Sequence, residues 1–363
     1  MYIFFILIII AGILCSCTTV NNDYKSVLIG VVETNNTISR SFITLLDDDF
    51  KKVKTETVNK AQLCSVSSYA KVYDNNVFML PLGINGDNNK EEACILSKSF
   101  KDGSINEYNI GEVSIRDFAV TGNNIFTINT KIENGKMISV LSKLNYDTNK
   151  LSKINIDDIV LECITSTNKH LIITGMNYSK NDELFSKVYI INPHTLEIIK
   201  VLDSTNFGIS FAEALIVNNT AYLSPRTKIG SDDKSTEELA THLVELDLTN
   251  YSLNSYNSKI GALNQIKILN EETLLINCYD EVQDVGNCIA TFDLKEKTFS
   301  YLVTDDTNRQ NEVKDNDIFT LTPNSINKYN IIGNKIIKQK SKKLTSNTDG
   351  FSYFSSFYLV PNE

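Results

Sequence analysis

Apolar and polar residues alternate along most of this chain in short runs broken by turn residues. FAVTGNNIFTIN, beginning at Phe118, shows the shape: two alternating stretches flank a Gly/Asn turn. The shape returns in the segments beginning at Ala70, Cys163, Ala214, Ile266 and Asn311. The turn residues tolerate positive φ and the flanks have period two, so these six segments are predicted to be tight β-hairpins. A second motif joins an apolar strand to a more polar one across an acidic or Asn turn. It begins at Phe42, Cys94, Ser139, Val188, Leu243, Ile289 and Ser325.

With the first hairpin as strands A and B and the second as C and D, each AB is followed by a CD. The AB turns at Asp74, Gly122, Thr167, Asn218, Asn270 and Asp315 are spaced by 48, 45, 51, 52 and 45 residues. Four strands repeating at that period predict blades of a β-propeller, because one blade cannot bury both its faces alone. The chain opens with VLIGVVE and a CD hairpin, and it closes with the aromatic, alternating FSYFSSFYLV from Phe351. The C-terminal segment is therefore expected to complete the N-terminal blade, split two-plus-two or three-plus-one, making seven blades and hiding two strand edges. This pattern resembles the large superfamily of bacterial seven-bladed propellers that includes the quinoprotein-like and lactonase-like groups. The resemblance spans the whole mature chain and rests on blade pattern. There is no Trp, hence no WD-type or Trp-docking repeat.

The N-terminus carries the second signal. The apolar run from Ile3 to Leu14 has the length of a signal-peptide core and is too short to span a bilayer as a stable helix. Leu14, Cys15, Ser16 and Cys17 resemble the lipobox of bacterial lipoproteins, although no Lys or Arg precedes the apolar run. That resemblance implies a signal peptide over 1–16, a diacylated Cys17, a lipidated tether over 17–24 and a single propeller domain over 25–363. It also implies a location in the bacterial cell envelope, held to a membrane outside the cytoplasm by the acyl anchor.

A net charge of -9 and the lack of a basic stripe argue against a nucleic-acid partner. Five cysteines remain beyond the anchor, an odd number with no zinc spacing. Of these, Cys278 and Cys288 flank one loop and can pair if the register sets them opposite.

The long BC connections begin at Gly83, Thr174, Ser224 and Tyr279, so the face they share with the DA loops is the elaborated one. Such insertions are also tolerated on any surface. In the longest, Ser235 and Glu238 fit a capping box and predict a helical turn. Repeat alignment brings Asp117, Glu162, Glu213, Gln265 and Gln310 to one position, with Tyr69 in the second blade and Arg116 beside Asp117. These residues are expected to form a polar ring at the channel mouth, where carboxylates can take a hard cation such as calcium or a polar ligand such as a sugar. Polar residues at strand starts are also ordinary in a wet channel.

His170, His194 and His242 fall on strand or turn positions of different blades, and no G-x-S-x-G element exists. The expected function is a non-catalytic binding or scaffold propeller, monomeric, facing an envelope protein, glycan or small ligand. The alternative is a divalent-cation-dependent lactonase-like or lyase-like enzyme using the acidic residues at the channel mouth.

Overall fold

The computed structural model describes residues 28–361, apart from 36–37, 66, 84–90, 135, 178–182, 232–235, 281–284, 305–306, 316, 333–334 and 349–351. The signal peptide and Cys17 lie outside the described residues, as do Ser235 and part of each long BC loop.

Seven four-stranded antiparallel sheets make a seven-bladed β-propeller. Six blades are each formed by one stretch of chain, blade 5 with a two-stranded ribbon inserted between its second and third strands. Their innermost strands are Lys71–Tyr73, Ile115–Thr121, Val160–Ser166, Phe211–Val217, Leu263–Asn270 and Gln310–Lys314, in blades 2 to 7. Blade 1 is split three-plus-one. Ile29–Asn35, Ser41–Leu46 and Lys52–Val58 come from the N-terminal end, and Ser352–Leu359 from the C-terminal end is the innermost strand.

The turns follow their residues. Asp74, Gly122, Asn218 and Asp315 all adopt positive φ at AB turns, as the hairpin reading requires. Several CD turns are held by a leading Asp or Asn whose side chain takes backbone N–H groups two to four residues on: Asp47 from Lys51, Asn192 from His194, Asp247 from Thr249 and Asp293 from Lys295. This local cap lets ordinary residues such as Leu196 and Lys297 sit at positive φ.

Because every blade is stacked on both faces, middle strands are buried on both sides; Ile29–Asn35 is buried along its full length. The core is accordingly divided into wedges, one between each pair of neighbouring blades. Among the described residues, the wedge between blades 1 and 2 holds fourteen buried apolar residues, and that between blades 3 and 4 holds thirteen. The wedge between blades 6 and 7 holds four: Leu275, Ile289, Ile318 and Tyr329. In place of apolar bulk, Gln265, Asn277, Asn308, Asn311, Thr320 and Asn327 are buried there. This seam is the polar joint of the ring.

Two features depart from the sequence reading. Glu238 lies in a strand, Glu237–Leu239, paired with Thr227–Ile229 as a small ribbon in the blade 5 BC insertion. Its carboxylate accepts from the N–H and hydroxyl of Ser231 across the ribbon, so it stabilises a turn rather than a helix start. In addition, His170 and His194 belong to one blade, the fourth, where the AB and CD turns stand side by side; His194 Nε2 bonds Asn168 O at 3.0 Å.

Candidate functional site

The innermost strands enter from the BC/DA face, and most carry a β-bulge near their start. In blade 3, Ile115 opposes Asn129 and Asp117 opposes Ile128, which leaves Arg116 without a partner. The extra residue is Glu162 in blade 4, Ala212 in blade 5 and Ser355 in blade 1. In blade 6, Asn264 and Gln265 together span the place of Asn277. A bulge bends its strand and re-aims a side chain. It also corrects the repeat alignment: Glu162 corresponds to Arg116, and Cys163 is the residue that corresponds to Asp117.

The ring side chains are turned toward the next blade. Asp117 Oδ2 accepts the N–H of Ile164 at 3.1 Å, linking blade 3 to blade 4. Glu162 accepts Phe211 N–H at 2.8 Å and the Ser210 hydroxyl at 2.7 Å, linking 4 to 5. Glu213 accepts Ile266 N–H at 3.0 Å, and Gln265 accepts Asn311 N–H at 2.7 Å. Gln310 both accepts Phe357 N–H at 2.9 Å and donates to Phe357 O at 2.7 Å. Ser356 accepts Ala70 N–H at 2.9 Å. The seventh joint uses a cation: Lys71 Nζ binds Asp117 at 2.7 Å and the carbonyl of Phe118. A girdle of side-chain to backbone bonds thus passes through all seven blades.

Tyr69 occupies the ring position of blade 2, but its hydroxyl donates to Arg309 O at 3.0 Å, at the entry to blade 7. Arg116 stands at the rim, 44% exposed, 3.5 Å from Glu162. Burial raises the Glu162 carboxyl above its usual range, against the Ser210, Arg116 and Phe211 contacts that favour the anion. Glu213 is pushed up to about 7, chiefly by burial, with Lys267 and Lys71 opposing the shift. Lys267 loses stability of its charge to burial, but Glu312, at 2.9 Å, and Glu213 more than restore it.

Tyr69, Lys71, Asp117, Glu213 and Asn264 line a small cavity with Ser67 and Ala212, with about 10 Å³ free, room for one water. Only one oxygen of Glu213, Oε2, is engaged, by Ile266. Asp117 and Glu213 share this cavity, but Glu162 does not line it, so the three ring carboxylates do not come together as one group. Among the described residues, one trio of potential metal ligands comes together, Glu92, Cys94 and Glu107. Lys60 Nζ already stands between its glutamates, at 2.8 Å from Glu92 and 3.1 Å from Glu107. The separation of Asp117, Glu162 and Glu213 follows from the architecture: each belongs to a different blade and points tangentially toward its neighbour.

The girdle and the ribbon were not legible as such in the sequence. The ribbon had a signal in the length of the Ser224 insertion. The bulges had none, because in blades 3 to 5 only one or two strand residues precede the extra one, too few to show the shift of phase it makes.

No protein-family model matches the chain, and no curated protein matches its sequence. Solved structures match its fold. A protein from Bacteroides fragilis NCTC 9343, provisionally named a 6-phosphogluconolactonase, is 14% identical with a TM-score of 0.57 over 95% of this chain and 99% of that one. A protein of the same provisional name from Bacteroides uniformis ATCC 8492 is 12% identical with a TM-score of 0.58 over 88% and 97%. Apo AztD from Citrobacter koseri is 8% identical with a TM-score of 0.52 over 93% and 99%. At such identities the likeness is one of fold, and the fold these comparisons support is the seven-bladed propeller.

Proposed function

We propose that this chain is an extracytoplasmic, lipid-anchored binding propeller that presents its BC/DA face to an envelope protein or glycan. The observation that carries the reading is how the ring side chains are used. Asp117, Glu162, Gln265 and Gln310 hold backbone groups of the neighbouring blade, so the channel mouth is built as a rigid frame. The variable parts of that face are loops and the ribbon of blade 5. A rigid scaffold bearing variable loops suits recognition. Ile229 of the ribbon packs against Met176, Leu184 and Ile209, which fixes the ribbon over blades 4 and 5.

Anchoring is tested by Cys17→Ala in the full chain, which is expected to abolish acylation and membrane retention; unchanged acylation would reject the anchor. Recognition is tested by capturing envelope partners with the anchored protein and with a variant whose 227–239 ribbon is replaced by a Gly/Ser linker. Equal capture by both would argue against this face.

One observation favours a second reading, a cation-dependent lactonase-like enzyme. Glu213 has a carboxyl poised near neutrality beside a small cavity, as a general base requires. Lactone hydrolysis dependent on calcium or magnesium and lost in Glu213→Gln would establish it and displace the binding role.

A further inference from the structure

Cys278 and Cys288 are direct partners across the second and third strands of blade 6, Thr273–Asp280 and Val285–Asp293. The ladder is unshifted from Thr273 to Cys278, and just beyond its start Leu294 N donates to Glu272 O. Counting in steps of two along the strand places Cys278 and Cys288 at a hydrogen-bonded pair. Such a pair has Cα atoms about 5.5 Å apart, inside the range a disulfide accepts, and Cβ atoms toward the wide end of about 4.5–5.5 Å, so closing the bond draws the two strands together locally. Both residues are buried, with 0% and 3% of their surface exposed. Their side chains lie on one face, in the wedge with Tyr222, Leu243 and Phe292.

The two thiols hydrogen-bond each other, which favours the thiolate at Cys288 and holds the proton on Cys278. The other described cysteines are buried in other wedges: Cys64 and Cys94 between blades 1 and 2, and Cys163 between blades 4 and 5. Burial pushes the Cys64 and Cys94 thiols up to about 12, as expected of inert structural residues.

We propose that Cys278 and Cys288 are an oxidation site, closed as a cross-strand disulfide that clamps the base of the blade 6 BC loop. The bond forms by exchange with a disulfide donor during folding, before stacking of the blades covers the sulfurs. The thiolate of one of the two cysteines attacks the donor disulfide, giving a mixed disulfide and releasing one donor thiolate. The sulfur of the other, as it loses its proton, displaces the second donor thiolate. One protein S–S bond forms, two protein S–H bonds are lost, and the donor takes up two electrons and becomes a dithiol. The clamp lies on the face assigned to recognition, and its formation in the cell rests on the export reading above.

The test has two arms, both with the full chain. In the first, the chain is expressed in a bacterium with its envelope thiol oxidant and in a strain lacking it. Free thiols are alkylated in denaturant, and the peptides bearing Cys278 and Cys288 are weighed. Linked peptides in the first strain and two alkylated thiols in the second are expected. In the second arm the purified chain is unfolded in detergent and refolded with mixed reduced and oxidised glutathione, which requires no export. A Cys278–Cys288 bond there, retained in Cys163→Ser and lost in Cys278→Ser, upholds the pairing even if the first arm shows unprocessed, reduced protein; that combination rejects export alone. Two alkylated thiols after glutathione refolding, in a chain with native β-sheet circular dichroism, overturn the proposal.

Discussion

Ala70 donates its backbone N–H to Ser356 Oγ at 2.9 Å, and the same hydroxyl donates to Gln310 Oε1 at 2.9 Å. One small side chain on the last strand therefore connects blades 7, 1 and 2. Ser356→Ala takes the side-chain acceptor from the buried Ala70 N–H and leaves Gln310 Oε1 with Phe357 N–H alone. It is expected to cost about 1–3 kcal/mol in urea unfolding; an unchanged midpoint would mean the girdle carries no stability.

Closure also depends on Gly30. A Cβ there would stand 2.0 Å from Tyr358 Cζ, so the Tyr358 ring lies directly on the glycine. Gly30→Ala is predicted to lower stability by about 1–3 kcal/mol or more, the range for overpacking a filled core. Tyr358→Phe keeps the ring and should not rescue it, whereas Tyr358→Leu should rescue part of the loss. Full rescue by Phe in thermal melts would contradict this packing account.

Asp117 takes three donors: Lys71 Nζ, Phe118 N–H and Ile164 N–H. Asn has one oxygen, and its NH₂ would face a donor, so Asp117→Asn should cost about 2–3 kcal/mol. Arg116→Ala, at the exposed rim, should cost less than about 1 kcal/mol. Denaturant titration of both variants checks the order; a larger loss for Arg116 would refute it.

Glu213 gives the fold a pH dependence whose sign is set by its raised pKa. Folded Glu213 holds its proton up to about 7, while an unfolded glutamate releases it near 4.3. Between those values the native state binds more protons, so stability is present below the unfolded pKa and falls as pH rises toward about 7. One oxygen still meets the cavity, so the effect is at most about 3 kcal/mol. Glu213→Gln keeps the acceptor for Ile266 and should flatten the profile while stabilising the fold at pH 8. An equally sloped profile in the variant would assign the dependence elsewhere.

The polar seam between blades 6 and 7 is predicted to be wet. Gln265 Nε2, Asn277 Oδ1, Asn308 Oδ1 and both amide atoms of Asn311 are buried without protein partners. Donors and acceptors together call for a ligand that serves both, which water does. A high-resolution crystal structure should show ordered water bridging these amides; a dry seam would mean the amides reorient to bond one another.

How much of this was readable beforehand differs by level. The six AB and seven CD hairpins were legible, because turn residues such as Gly122 and Asn218 and period-two flanks are local properties. The lateness of the strand beginning at Ser352 pointed to a shared blade, yet nothing local distinguished a three-plus-one split. The ring residues were legible as polar strand starts, but Glu162 was placed one residue out because its bulge depends on the pairing partner.

The sequence by itself determined the repeat, the strand order within blades and the candidate ring, since these follow from side-chain alternation and turn chemistry over a few residues. Only the tertiary structure decided that Ser352–Leu359 is the inner strand of blade 1, that the ring side chains bond to the next blade, and that Cys278 faces Cys288. Those relations join residues from ten to more than three hundred positions apart, and their geometry exists only once strands pair and blades stack.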